Sequence, residues 1–544
     1  TERDSVSKKT IKIFLKKYKE KEGSGMEFLV GLVPIVVFLI LLTFLKKSAM
    51  FSAYASLIVA IILNFIVPGW QMPVQGVIAS IIEGFATAWM PIGFVVFAAL
   101  FAYDLSVKTG KIETIKSMLG SISTDKRAQA LILAWGFGGF IEGIAGYGTA
   151  VAIPAAIMIS LGFSPMTAAM ICLLANSTPT AFGTVGLPVT TMISNFKLNA
   201  GETAFYTSLL LLVLTCIIPF ILVIMANKEI DGGKNAAFGR GILPVVIASI
   251  IGYLTQPFIA KAMGAELPTI LSSLFAMILM IVATKIFIKE DKSAKSNKGQ
   301  AITGKDAFMA WVPYILMIIL IIGTSPVVEA VHKALEPTTT HFNFALGHEA
   351  TWFKDKGDPS VIFKWILAPA APLFVATVIA GFIQGVKPKV MAETLKETIL
   401  SKLPSVVVIM GIVALSVVMK HSGMIESIAK GFAATGKFFP VISPFLGTIG
   451  TFVTGSDLAS NLLFGGVQVN IAGSNEALKA LYIAAGTGGA TGGKMISPQN
   501  IAIAASTVGL MGKEGDMLKF TVKYSIAYAA ILGILTFIGA GMLH

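Results

Sequence analysis

Glu142, Asp457 and Lys494 are the residues from which chemistry is first legible, because each interrupts a stretch that is otherwise apolar. An ionisable side chain at the centre of a membrane helix costs about 2.5–3.5 kcal/mol on insertion scales. Such residues normally face a bundle interior and serve the movement of substrate, ion or proton. Glu142 ends the apolar run Ala128–Ile141 and stands before Gly143-Ile144-Ala145-Gly146-Tyr147-Gly148. Desolvation favours the neutral carboxyl, which suits a proton carrier; the competing reading is a structural bond to a helix end or to Lys494. Asp457 lies in Thr454-Gly455-Ser456-Asp457-Leu458-Ala459-Ser460-Asn461. Its hydroxyl and amide neighbours Ser456, Ser460 and Asn461 favour a fixed anion, and a plain helix N-cap is the alternative. Lys494, in Gly492-Gly493-Lys494-Met495-Ile496-Ser497-Pro498-Gln499-Asn500, either meets an anionic substrate or pairs with Glu142 or Asp457. It does not belong to a phosphate loop, which requires Ser or Thr where Met495 follows the lysine.

Two further segments, Asn176-Ser177-Thr178-Pro179 and Ser497-Pro498-Gln499-Asn500, read as the starts of half-helices. Free N–H groups and the positive dipole end at such starts favour a carboxylate. The glycines between them allow backbone to approach a ligand closely, although for any single one tight helix packing is the better reading, as at Gly139/Gly143 and Gly381/Gly385. Proton coupling is therefore expected at Glu142 and Asp457. Substrate contact is expected from Gly143, Gly146, Tyr147, Gly148, Asn176, Ser177, Thr178, Gly455, Ser456, Ser460, Asn461, Lys494, Ser497, Gln499 and Asn500. Glu83, in the third apolar run, is left between pairing and snorkelling.

These residues need a membrane-embedded frame, and the composition supplies one. Of 544 residues 55% are hydrophobic and 13% charged, against about 25% charged in soluble domains; mean hydropathy is +0.81. Apolar runs long enough to cross about 30 Å of hydrocarbon recur along the chain. They lie near 28–45, 50–67, 74–103, 203–226, 241–258, 267–288, 308–323, 361–385, 403–419 and 518–541. No barrel alternation is present, so the spans must be helices. The fold class is an all-α polytopic membrane protein with about 12–14 embedded helical segments. The net charge of +13 marks cytoplasmic loops rather than nucleic-acid binding. Cys172 and Cys216 sit inside apolar runs, which excludes a disulfide scaffold. His332, His341 and His348 have no metal-ligand spacing, so a solvated external loop is expected around them and no metal. H-E-x-x-H, G-x-S-x-G and C-x-x-C are all missing, so neither an enzyme nor a cofactor is expected.

Residues 1–25 are basic and amphipathic and end in Gly23-Ser24-Gly25 before Met26. They read as an added extension and linker, with a native interfacial helix as the alternative. Lysine-rich loops at Lys46-Lys47, 104–127, 285–305 and Lys387/Lys389/Lys402 are assigned to the cytoplasm, and the mixed segment 324–360 to the outside. Two regions, 128–194 and 442–508, are apolar but broken by Gly, Pro, Asn and Ser. Glu142 precedes Asn176 by 34 residues, and Thr454 precedes Gly488 by the same 34, at an offset of 312. Loop charge gives the two regions opposite orientation, which is the pattern of secondary transporters with inverted repeats and a midplane site. The expected organisation is a first transport repeat over 26–226, connecting spans over 227–307, a second, inverted repeat over 308–508 and a C-terminal span over 509–544. Oligomeric state is left open, since lipid-facing and subunit-facing helices share a composition. An anion channel would need a continuous polar lining, whereas here polarity is confined to the two broken regions.

Gly139–Thr149 (GFIEGIAGYGT), Ala175–Gly183 (ANSTPTAFG), Gly455–Asn461 (GSDLASN) and Gly493–Asn500 (GKMISPQN), in that order, closely resemble the motifs of the bacterial L-lactate permease family. The resemblance covers essentially all of 26–544. It implies proton-coupled uptake of L-lactate and related 2-hydroxy monocarboxylates such as glycolate across the bacterial plasma (inner) membrane. It also implies relation to elevator-type transporters built from two inverted repeats with interrupted, re-entrant helices. This chain departs from the family's first motif at Ile144, Tyr147 and Ala150, where the family more often has Ala, Phe and Pro. A sodium-coupled carboxylate transporter is the nearest rival, because Asn, Ser, Thr and unwound carbonyls also suit Na⁺.

Overall fold

The computed structural model describes residues 26–42, 45, 47–146, 148–230, 237–239, 241–288, 303–344, 350–353 and 358–543. The expectations placed on residues 1–25, Tyr147, His348 and most of the 285–305 loop lie outside them. Among the described residues nine helices are long and apolar enough to span a bilayer. They run over Ala49–Ile66, Val74–Lys108, Ala200–Asn227, Ile242–Met263, Pro268–Phe287, Gly304–Thr324, Pro388–Ser422, Gly436–Thr454 and Glu514–Leu543, and the pair Pro165–Ala175 and Thr178–Phe196, bent by 48° at its break, has the form of a broken span or a re-entrant loop. Met26–Leu42, Thr149–Ser160 and Ala370–Ile383 are shorter apolar helices. Ile58, Ile62, Ile247, Ile251, Ile278, Val282 and Ile534 stand exposed on the long helices, as side chains facing lipid do.

Two spans differ from the sequence expectation. The run 361–385 is helical only over Ala370–Ile383. Its first residues form the strand Ser360–Lys364, antiparallel to Thr339–Asn343 with Thr339 opposite Lys364. Here Val361 and Phe363 are buried while Ile362 and Lys364 are exposed, the period of two that defines a strand. The described residues of the segment 324–360 thus include a helix and strands rather than a plain loop, with His341 in the first strand and His332 Nδ1 2.8 Å from the Thr324 carbonyl. The run 403–419 belongs to one 35-residue helix, Pro388–Ser422, in which Pro404 is accommodated.

The broken regions lie at the centre and follow a common order. In the first, a helix ending at Ile144 is followed by a glycine break, the helix Thr149–Ser160, a tight turn, the helix Pro165–Ala175, a second break, and a helix that resumes beyond Gly186. In the second, Phe439–Thr454 is followed by a break at Gly455-Ser456, Asp457–Ala472, a tight turn, Glu476–Lys494, a break at Met495–Ser497 and Pro498–Thr507. The second break therefore falls just past Lys494, within Gly492–Asn500, while Gly488, the spacing counterpart of Asn176, is inside a helix. Thr487-Gly488-Gly489 are helical because their glycines pack. Thr448 Oγ1 donates to the Gly489 carbonyl at 2.9 Å, and Cβ atoms added to Gly447 or Gly489 would collide with the carbonyls of Gly486 and Pro444. Small residues that let two helices touch backbone to backbone drive association in lipid, where no hydrophobic force operates between helices.

This contact gives a first prediction. Gly489→Ala places a methyl against backbone that cannot rotate away, and overpacking of this kind costs about 1–3 kcal/mol or more. The purified variant is expected to unfold at a clearly lower temperature in detergent than Gly488→Ala, whose Cβ would meet only side-chain carbons of Leu532 and Leu211, at 3.1 Å and beyond. Equal melting of the two variants contradicts the packing role.

Candidate functional site

The first break is built on the chain between Lys126 and Ile144, every residue of which from Arg127 onward is buried. It ends where Gly146 and Gly148 take φ of +57° and +85°, left-handed values that glycine adopts at little cost. Glu142 points from the last turn of this helix. The other limb of the first half approaches it in an unusual way. Asn176 caps the end of Pro165–Ala175, and of the half-helix expected from Asn176-Ser177-Thr178-Pro179 only the short 3₁₀ turn Thr178–Phe182 follows, with Ser177 as its N-cap. The next hydroxyls satisfy local carbonyls, Ser177 Oγ that of Leu174 and Thr180 Oγ1 that of Ser177, each at 2.7 Å. Thr184, Val185 and Gly186 then follow with φ of +48°, +55° and +74°. Left-handed backbone costs a residue with a Cβ about 1–2 kcal/mol. Thr184 Oγ1 holds the turn by donating to the Ala145 carbonyl at 3.2 Å. The result is close contact: a Cβ on Gly183 would stand 2.6 Å from Glu142 Oε1.

The second half contributes two helix ends. Ser456 is the N-cap of Asp457–Ala472, its Oγ accepting from Ala459 N at 3.3 Å, and Asp457 is the first helical residue. Lys494 is the last residue of Glu476–Lys494. A carboxylate at a helix start and an ammonium at a helix end both complement the backbone dipole. Ser497 begins the next helix, as its sequence predicts.

Across the halves, Lys494 Nζ lies 2.8 Å from Glu142 Oε1, with side-chain exposures of 11% and 3%. The pairing that the sequence leaves open between two acids is thus with Glu142. Glu142 Oε2 and both Asp457 oxygens are buried without a hydrogen-bond partner, as is Thr451 Oγ1. The donors expected to hold Asp457 as an anion are engaged elsewhere. Ser460 Oγ donates to the Gly447 carbonyl at 2.8 Å, and the Asn461 amide donates to the Pro188 carbonyl and Thr487 Oγ1 at 3.2 and 2.9 Å. Thr180 and Thr451 are the hydroxyl residues beside Asp457, and Lys494 and Glu142 act on it by charge.

These groups face a cavity of about 240 Å³. Of the residues expected to bind substrate or proton, Glu142, Gly148, Gly455, Ser456, Asp457, Lys494, Gln499 and Asn500 line it. Gly143 does not; it packs on Thr269 and Ile270, as the small-residue reading has it. Gly146 backs the wall against Thr184. Asn176, Ser177, Thr178, Ser460, Asn461 and Ser497 are buried but do not line the cavity, and Tyr147 is not described. Thr180, Gly183 and Thr184 line it and were not singled out, although all lie in or beside the Thr-Pro-Thr run that follows Asn176. The far wall comes from outside the broken regions: Phe38 and Leu42 of the first helix, and Ser405, Val408, Ile409 and Ile412 of Pro388–Ser422. Among the described residues Lys494 is the only cation lining the cavity. Such a site can hold one small anion against one ammonium and can take up a proton on a carboxylate that the anion displaces.

A family model described as L-lactate permease matches residues 27–543. The L-lactate permease of Streptococcus iniae is 36% identical over 446 residues, covering 82% of this chain and 90% of that protein. The L-lactate permease of Bacillus subtilis (strain 168) is 33% identical over 547 residues, with 94% and 95% covered. The glycolate permease GlcA of Escherichia coli (strain K12) is 31% identical over 562 residues, with 96% and 97% covered. Among solved structures, the YdaH transporter of Alcanivorax borkumensis overlaps at a TM-score of 0.45 and 16% identity, over 85% of this chain and 88% of that one.

Proposed function

The chain belongs to the L-lactate permease family, and from that premise we propose that it carries L-lactate and related small 2-hydroxy monocarboxylates, glycolate among them, across the bacterial plasma membrane together with a proton. The family is one of multi-pass membrane transporters, not enzymes. The observation that carries the proposal is the buried Glu142–Lys494 pair at the mouth of two helix breaks. Its charge balance supplies the coupling. With the site empty, the pair is neutral. An entering carboxylate competes with Glu142 for the one lining ammonium. A lone buried carboxylate is strongly disfavoured, so Glu142 takes a proton as it releases Lys494. Substrate anion and proton then occupy the site together, and the site keeps the net charge it had when empty. The cavity, smaller than the ~300–1,000 Å³ typical of sites for drug-sized ligands, suits so small a cargo. Gln499, Asn500 and Thr184 offer amides and a hydroxyl to a 2-hydroxyl group. The similar order of helix, break, helix, turn, helix, break and helix in the two halves supports a pair of inverted repeats meeting at this site.

The test is uptake of labelled L-lactate by proteoliposomes under pH and sodium gradients imposed separately. Accumulation is expected when the outside is acidic, with no response to sodium, and unlabelled glycolate should compete. Uptake driven by a sodium gradient and indifferent to pH would replace the proton with Na⁺ in this mechanism.

A further inference from the structure

A second set of buried titratable groups lies apart from the cavity and has no part in the mechanism above. Glu83 is on the helix Val74–Thr87 and His421 is near the end of Pro388–Ser422. His421 is fully buried and Glu83 is 8% exposed. His421 Nε2 stands 3.6 Å from Glu83 Oε2, and His421 Nδ1 stands 2.9 Å from Ser80 Oγ. His421 is nine residues past Ile412, the last cavity-lining residue of its helix, about 13 Å along the axis at 1.5 Å per residue. The Phe353 ring packs edge-on against the imidazole at 5.0 Å, and Trp352 Nε1 donates to the His421 carbonyl at 3.0 Å.

The hydrogen count at this cluster is informative. Ser80 Oγ has one hydrogen, and its shorter contact, 2.7 Å, is with the Gly76 carbonyl. With that hydrogen used, Ser80 can only accept from Nδ1–H of His421. His421 Nε2 and Glu83 Oε2 thus face each other at ion-pair distance, longer than a hydrogen bond, and a buried imidazole and carboxyl side by side carry no net charge when the two hold one proton beyond Nδ1–H, as neutral acid and imidazole or as carboxylate and imidazolium. The other groups bearing on Glu83 are cationic or donors: the Lys420 and Lys197 ammonium groups and the Ser360 backbone N–H. We propose that Glu83 and His421 together hold one exchangeable proton, on Oε2 or on Nε2, forming a proton-binding site distinct from the Glu142 site. Its ligand is the proton alone, and its occupancy sets the charge held between the helices Val74–Lys108 and Pro388–Ser422.

The experiment uses the full chain in lipid nanodiscs, without substrate, with ¹⁵N-labelled histidine; only five histidines are present, and His421→Gln identifies the signal. The expected result is one titration step at Nε2 between about pH 5 and 8, with Nδ1 protonated throughout. Glu83→Gln should abolish that step, because its amide supplies a permanent hydrogen in the same place. Lys494→Met should leave it in place, which separates this proposal from the transport mechanism. A step that persists unchanged in Glu83→Gln overturns the proposal. So does the opposite tautomer, an Nε2–H held across the whole range with Nδ1 accepting from Ser80, and that outcome reads in the unmutated protein even if Glu83→Gln does not fold.

Discussion

Glu142→Gln is expected to leave a carrier that exchanges L-lactate between two sides of a membrane but no longer accumulates it against its gradient. Glutamine has the shape of the protonated carboxyl and cannot titrate, so the step that ties one proton to each substrate is removed. The geometry makes the effect large. Glu142 Oε1 is committed to Lys494 at 2.8 Å, Oε2 has no partner, and a Cβ on Gly183 would stand 2.6 Å from Oε1. Freed of that competition, Lys494 should accept the substrate carboxylate at any pH. In the unmutated carrier, binding requires a proton as well as a substrate, so apparent affinity should weaken with rising pH by up to about tenfold per unit once Glu142 is ionised. In Glu142→Gln that dependence should flatten. Proteoliposomes loaded with unlabelled lactate read exchange, and empty ones under an acid-outside gradient read accumulation. Normal accumulation by Glu142→Gln would remove Glu142 as the carrier and pass the role to Asp457, the other lining carboxyl.

Much of this site was legible in the sequence, for a physical reason. Charge is so costly at membrane depth that Glu142, Asp457 and Lys494 stood out with no knowledge of the fold, and all three line one cavity. What the sequence left unresolved is mostly the use of small residues. A glycine-rich stretch breaks one helix and lets another pack tightly, and composition cannot separate the two. Hence Gly488, placed by its spacing as the counterpart of Asn176, lies inside a helix, while the break falls at Met495–Ser497, within the Gly492–Asn500 segment. Asn176 read as a helix start but is a helix end, because the turn beyond it is shaped by Pro179 and the left-handed run Thr184–Gly186. Threonine and valine at positive φ run against local preference. Thr184 is held there by its bond to the Ala145 carbonyl, 39 positions away, and no local pattern announces it. The far wall is equally hidden: Ser405 and Ile409 lie in an ordinary apolar span and reach the site only through packing. The facing of Glu83 and His421 joins residues 338 positions apart and has no sequence signature.

Lys494→Met should weaken substrate binding more than any other single change in the cavity. A hydrogen bond between an ammonium and a carboxylate in a partly dry site contributes about 1.5–3 kcal/mol, or roughly 10- to 150-fold in affinity. The loss should fall at the upper end, because without Lys494 no cation among the described residues lines the cavity to meet the substrate carboxylate. The single variant also strands a buried carboxyl, and breaking a buried pair by removing one partner costs about 3–5 kcal/mol unless the survivor protonates. Poor folding of Lys494→Met would therefore be ambiguous on its own. The double variant Glu142→Gln/Lys494→Met resolves this, since removing both members of a buried pair is often neutral for stability. It should recover the thermal stability of the parent while lactate binding stays lost. If lactate binds the double variant with parental affinity, the pair is a structural strut and the substrate carboxylate is held by other groups, the helix start at Asp457 or the amides of Gln499 and Asn500.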